Sequence, residues 1–286
     1  MSDGVRVSQS VSELPVDLIE DAEAAYILGT GAHSAQAMGD DSETESLDGA
    51  VVSCFRRERS SLYNRAFRVA SVEQASEAIR WFRRRNIPCR IDLAPSYHPD
   101  VPHSLEMAGF RSIPHFNYTN GVIAGPIPSM HQVHESVRDG TPDEVARIQR
   151  GVWEELETWG SGVEEYYRLL SGDPHVSSLV ALVDGRPAAT GALWVHGLVA
   201  YFFGGAALPE ARRLGLHRTL LESRLARARD RGCRWASALV HPGSQSHRNC
   251  ESAGLPLAFR REVWMEADWA DHPFYSEGDG DAGLAL

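Results

Sequence analysis

The sequence predicts a mixed α/β protein built from two similar halves, and three observations carry that reading. Apolar runs of strand length alternate with amphipathic helical stretches along nearly all of the 286 residues. The stretch from Cys89 to Ala108-Gly109-Phe110 is echoed by the one from Cys233 to Ala253-Gly254-Leu255. In each, a strand-like run is followed by a Pro-containing break and then a short helix, with 20 residues from Cys to Gly in the first and 21 in the second. A two-copy repeat of this length points to duplicated domains rather than a solenoid. Between the copies, Gly125-Pro126-Ile127-Pro128-Ser129 is too stiff for the interior of an element, which sets domains at 1–126 and 129–286.

Taken in order, Ser12 to Leu28 predicts a helix with Leu14, Leu18, Ile19, Ala22 and Tyr26 on one side, and the polar, acidic Gly31 to Asp48 predicts a loop. Ala50 to Phe55 and Leu62 to Val69 read as strands joined over the basic Arg56-Arg57-Glu58-Arg59 turn. A helix ending in Ile79 to Arg85, a strand at Cys89 to Leu93 and a short helix to Ala108 complete the first half. In the second, Val133 to Val137 reads as a strand and Thr141-Pro142-Asp143-Glu144 as a capped helix start. Val176 to Val183 and Ala188 to Val195 form a hairpin through Asp184-Gly185. The run Leu198 to Phe203 is a strand, Leu208-Pro209-Glu210 breaks it, and a long helix follows. That helix puts Leu216, Leu220, Leu221 and Leu225 on one face, with Arg218, Glu222, Arg224 and Arg229 facing away. Gly232 stops it, a strand runs to Val240, a short helix spans Ser244 to Ala253, and Leu257 to Met265 reads as one final strand before a polar tail from Trp269.

Composition narrows the classes. No apolar run reaches membrane-spanning length and the N-terminus lacks a basic-then-apolar leader, so the expected location is cytoplasmic. Four cysteines without a close-spaced pair argue against a disulfide framework and a zinc knuckle, and His131 with His134 lacks a third ligand, so no metal is expected. With 28 basic and 39 acidic residues the net charge is −11, which disfavours nucleic acid as a partner. The same acidity suits a cationic substrate and plain solubility equally.

The chemistry is concentrated in Arg212-Arg213-Leu214-Gly215-Leu216-His217, between a strand and a helix. A helix start offers unpaired N–H groups and the positive end of the dipole, and Gly215 lets backbone approach an anion closely. The pattern suits a diphosphate. It lacks the Lys-Ser/Thr of a Walker loop and the three glycines of a dinucleotide fingerprint. It resembles the pyrophosphate loop of the GCN5-related N-acetyltransferases (GNAT), Arg/Gln-x-x-Gly-x-Gly/Ala: Arg212 and Gly215 match, and His217 stands where that family has Gly or Ala. The order of elements resembles the family over residues 131–267.

That resemblance implies two GNAT-like domains, each a mixed, mostly antiparallel twisted sheet flanked by helices. It implies an acetyl-CoA-dependent N-acetyltransferase acting on the primary amine of a small molecule: an amino sugar or aminoglycoside-type antibiotic, an amino acid or a polyamine. By resemblance, Arg212, Arg213, Leu214, Gly215, Leu216, His217 and Arg218 hold the coenzyme diphosphate, and Asn249 contacts the cofactor. The thioester carbonyl is met by backbone amides of the strand before the loop, at Gly205, Ala206, Ala207 and Leu208, where Gly204-Gly205 has the look of a bulge. The family often carries a Tyr as acid for the departing thiolate where this chain has Cys250, which reads either as that acid or as a small buried apolar residue. No base stands out: Glu154, Glu155, Glu157 and His196 are candidates, and Tyr201 to Ala207 holds no carboxylate. The first half has no glycine between Asn64 and Ile79, so it is expected to be a degenerate copy without a coenzyme. The rival reading is a catalytically inactive module that binds acyl-CoA as a sensor or scaffold.

Overall fold

The computed structural model describes residues 16–56, 64–113, 121–128, 134–155 and 162–270. The chain opens with helix α1 (Val16–Met38), then β1 (Ser42–Leu47), β2 (Ala50–Phe55) and β3 (Arg65–Phe67). Helix α2 (Val72–Arg84), β4 (Arg90–Leu93), α3 (Asp100–Met107), β5 (Phe110–Ser112) and β6 (Gly121–Pro126) follow. Next come β7 (Val137–Asp139), α4 (Pro142–Glu155), α5 (Val163–Gly172), β8 (Val176–Val183), β9 (Arg186–His196) and β10 (Val199–Ala207). The last elements are α6 (Leu216–Asp230), β11 (Trp235–Val240), α7 (Gln245–Ser252), β12 (Leu257–Arg260), β13 (Glu262–Glu266) and α8 (Ala267–Ala270). Among the described residues no helix is long and apolar enough to cross a membrane.

Two mixed sheets organise these elements, ordered β1-β2-β3-β4-β13-β5 and β7-β8-β9-β10-β11-β6-β12. Each holds a single parallel pair among the described strands, β3 with β4 and β10 with β11, and every other pairing is antiparallel. Laid over one another, β2-β3-β4-β13-β5 corresponds to β9-β10-β11-β6-β12. The echo seen in sequence is structural as well: Gly109 and Gly254 each close a short helix at φ +88°, the left-handed position that glycine fills most cheaply.

The correspondence exposes an exchange. Strand β6, last in the first half, lies between β11 and β12, while β13, last in the second half, lies between β4 and β5. A cut at residues 126–129 therefore does not separate the sheets. Gly125 and Pro126 are not a linker: they end β6, opposite Ala236 and Trp235. A Cβ at Gly125 would stand 2.9 Å from the Gly254 carbonyl oxygen, so close packing explains the glycine. The single strand expected over Leu257 to Met265 is two strands in different sheets, divided at Arg261.

Helix α1 lies between the sheets and runs through Gly29 and Gly31 to Met38, where sequence suggested a loop, and β1 then takes up the rest of that stretch. Ala24 packs with Val51 and Phe67 of the first sheet, and Ile19 with Val122, Ala124 and Leu239 of the second. Burial on both sides removes the periodicity by which a surface helix is recognised. A Cβ on Gly29 would come within 2.7 Å of the Trp194 ring. Beside α1, Arg261 pairs with Glu20 and Glu23, Arg65 with Glu23 and Asp92, and Arg90 with Asp92, all fully or nearly fully buried. Burial alone would raise the Glu23 carboxyl, but Arg261 and Arg65 outweigh it and hold it down to about 2. Its share of stability is complete above the ordinary carboxylate range and is lost as pH falls toward that value. Glu20 moves the opposite way, raised by burial, and partly offsets this.

Candidate functional site

Strand β10 pairs with β11 for only four residues, Val199–Phe202 against Trp235–Ala238. Beyond that point β11 continues to Val240 and β10 to Ala207 without pairing to each other, so the sheet opens as a wedge. On its other side β10 slips register against β9 between Phe203 and Ala206, the bulge that Gly204-Gly205 suggested. Gly204 takes φ +63°, and its carbonyl accepts a 2.7 Å hydrogen bond from Nε2 of Gln149 on α4. The Leu208 N–H donates to the Ala188 carbonyl at 2.9 Å, so Leu208, expected among the amides facing a thioester, is held within the sheet. Strand alternation then turns the N–H group of Ala207 to the wedge side and that of Ala206 toward β9.

After a short helical turn at Pro209–Ala211, the loop Arg212, Arg213, Leu214 and Gly215 is exposed. Arg213 and Gly215 take positive φ, +65° and +78°, and Gly215 is the N-cap of α6 with no side chain capping the helix. The first amides, of Leu216, His217 and Arg218, thus lie at an open, positive helix end. The matching helix start in the first half is closed. Ser71 accepts from Gln74 N, and the Gln74 side chain accepts from the Ser71 and Ala70 amides, a complete capping box.

Behind the loop, α7 braces α6. Asn249 Nδ2 donates to His217 Nδ1 at 3.0 Å, Ser246 Oγ lies 3.5 Å from His217 Nε2, and Gln245 donates to Asn249 Oδ1 at 2.9 Å. The His217 side chain is half-buried against α7. Cys250, on the same helix, is 3% exposed in the core with Phe202, Leu225 and Leu255, and burial pushes its thiol up to about 11. Arg224, expected to face solvent, is 2% exposed with its guanidinium 4.9 Å from the Phe202 ring, and burial lowers it to about 10. The sequence signal for it was Gly191 on β9, where a Cβ would meet the guanidinium carbon at 3.1 Å.

On the opposite face of the wedge, α1 brings Tyr26 to 4.2 Å from Phe203 and 5.1 Å from Tyr201, ring to ring, and its hydroxyl lies 3.4 Å from that of Tyr166. Tyr166 and Tyr167 are buried in this cluster. Glu154 and Glu155 fall in the last turn of α4. His196 is exposed at the end of β9, and His134 is bonded to Ser136 at 3.0 Å. Glu157, Trp159 and His131 lie outside the described residues. Of the basic clusters, Arg83 pairs with Glu266, while Arg85 pairs with Glu43 and stacks 3.6 Å over the Trp81 ring. A cavity of about 480 Å³ beside Arg83, Pro88 and Gly109 belongs to the first sheet and not to the wedge.

Residues 143–254 match the sequence model of the Acetyltransferase (GNAT) family. Over those residues the chain is similar to a GNAT acetyltransferase domain. Solved structures agree in fold. A GCN5-related N-acetyltransferase from Kribbella flavida aligns at TM-score 0.55 and 17% identity, over 85% of this chain and 95% of that one. One from Sphaerobacter thermophilus aligns at 0.51 and 16%, over 89% and 93%. A tandem GNAT protein from the clavulanic acid biosynthesis pathway aligns at 0.53 and 14%, over 87% and 93%. At such identities the likeness is one of fold. No curated protein matches the sequence. Acyl transfer from acetyl-CoA is what the acetyltransferase family implies for this domain.

Proposed function

We propose that the chain moves an acetyl group from acetyl-CoA to the primary amine of a small molecule, and that only the second sheet holds the coenzyme. The observation that carries this is the wedge: a parallel strand pair that parts beside a glycine bulge and leads into an uncapped helix start. The diphosphate fits the amides of Gly215, Leu216, His217 and Arg218, with Arg212, Arg213 and Leu214 exposed around it. When bound, the coenzyme supplies the activated thioester. The amide of Ala207 on the wedge side and that of Gly205 in the bulge suit the carbonyl oxygen as it gains charge. Asn249 acts through His217, which it holds in place.

An acceptor amine has a solution pKa of about 10 and must lose its proton before attack. In this reading Glu154 or Glu155, in the turn of α4 beyond Gln149, takes it. Cys250 is a packing residue, sealed from the wedge by its neighbours in the core, and the thiolate leaves to solvent. Helix α1 walls the acceptor side with Tyr26, which suits a small substrate and a cation that meets aromatic rings. The first half is a degenerate copy whose coenzyme end is closed by Ser71 and Gln74. One observation favours the rival: β10 carries no carboxylate or imidazole from Val199 to Ala207, as suits an inactive acyl-CoA-binding module. Thiol release from acetyl-CoA, followed across amino sugars, amino acids and polyamines, decides between them. Amine-dependent release supports transfer; tight binding without release for any amine leaves the binding module.

A further inference from the structure

Gln149 is 2% exposed in the middle of α4, and its amide nitrogen donates to the Gly204 carbonyl of β10 at 2.7 Å. A glutamine buried this deeply beside a bulge has a consequence fixed by covalent geometry. In a trans peptide the carbonyl of one residue and the N–H of the next point in opposite directions, and the structure holds no cis peptide among the described residues. With the Gly204 oxygen held on α4, the Gly205 N–H must point away from α4. Gly204 is free to turn this way because it sits at φ +63°, and a Cβ there would lie 3.5 Å from Gln149 Nε2 and 3.6 Å from the Tyr167 ring. Nothing in the strand ladder fixes this peptide, since register against β9 is lost between Phe203 and Ala206. The side chain of Gln149 does.

We infer that Gln149 is a positioning residue for acetyl transfer: by holding the Gly204 carbonyl it keeps the Gly205 N–H aimed at the thioester carbonyl oxygen. This rests on the acetyl-transfer reading above. The group it acts on is the thioester of acetyl-CoA and not the coenzyme's diphosphate, which is held some distance away by the start of α6. Loss of Gln149 should therefore weaken polarisation of the carbonyl while leaving coenzyme binding nearly intact.

The test is Gln149→Met and Gln149→Glu in the full chain, with kcat, the KM for acetyl-CoA, and the infrared carbonyl stretch of bound acetyl-CoA labelled with ¹³C. Gln149→Met keeps the shape without the donor. It should lose kcat by about ten- to a hundredfold, less than or equal to the cost of deleting an oxyanion donor outright, with KM changed by less than about threefold. Its bound carbonyl frequency should return toward the solution value. Gln149→Glu should recover both kcat and frequency as pH falls, because only the protonated carboxyl can donate to Gly204. A role in folding alone predicts lower thermal stability with unchanged kcat per folded molecule and an unchanged carbonyl frequency, and that result overturns the inference. If Gln149→Met does not fold, a pH-independent carbonyl frequency in Gln149→Glu overturns it as well. Failure of the unaltered protein to bind acetyl-CoA, or to release thiol with any amine, would remove the acetyl-transfer reading itself and is seen before any variant is made.

Discussion

At the scale of single residues, the bulge and the loop rest on backbone at positive φ, +63° at Gly204 and +78° at Gly215. Glycine reaches such a turn or bulge with least strain, which is why Gly204 and Gly215 stand out in the sequence. His217 stands at a position where the family this chain resembles has Gly or Ala. Its ring joins α6 to α7 through Asn249 and Ser246. His217→Ala removes both links at the start of the helix that would hold the diphosphate. The expected outcome is acetyl-CoA binding weaker by about three- to tenfold, the weight of one modest hydrogen bond, measured by titration calorimetry. Unchanged or tighter binding would show that neither link serves the coenzyme. Gln149 gave no warning, and Arg224 none beyond the glycine at position 191. Their importance comes from burial against partners far away in the chain, Gly204 and Phe202, which no local pattern encodes.

At the scale of elements, the hairpin through Asp184-Gly185, the capped start of α4 and the strand–loop–helix around Gly215 stand where local chemistry put them. The Thr141–Glu144 box at α4 is closed in both directions, Glu144 N donating to Thr141 and Thr141 N to Glu144. Elements were missed where tertiary packing overrides local preference: the second half of α1, whose glycines meet Trp194 and Thr44, and the break at Arg261. The two helix starts that correspond between the halves, α2 and α6, carry the sharpest functional contrast. At α2 the Gln74 amide is bound by Ser71 and the Ser71 and Ala70 amides by Gln74, whereas α6 begins at Gly215 with no capping side chain. An anion should favour the open one, because displacing a capping box costs about 1 kcal/mol before any contact is gained. Calorimetry on the intact chain should give one acetyl-CoA per chain. Gly215→Val, which forces a branched residue into φ +78°, should abolish that single event. A second equivalent site would show that α2 also opens to a coenzyme.

For the whole molecule, the duplication was legible and its consequence was not. The repeat of Ala-Gly-apolar after a Cys-led strand reports two copies, and from that alone the copies look separable at Gly125 to Ser129. Each sheet, however, is completed by the other half's final strand. Strand β6 is hydrogen-bonded on one edge to β11 and on the other to β12, and β13 in the same way to β4 and β5. Sequence cannot show this, because a strand has the same alternation whichever sheet it joins. Arg261, where the chain leaves one sheet for the other, is buried and paired with Glu20 and Glu23 of α1, so the crossing is fastened to the helix that both sheets share. Cutting the chain at residue 128 should therefore not release a working domain. The segment 129–286 would lose β6 from between two strands, exposing an edge on each side of the gap. It would also carry β13 without a sheet and leave Arg261 charged without its partners, a defect worth about 3–5 kcal/mol by itself. The expected result is insoluble or molten 129–286, restored to a cooperative thermal transition when 1–128 is co-expressed with it. A soluble, monomeric 129–286 that melts cooperatively alone would mean the exchanged strands are dispensable, and the two halves would then be independent domains after all.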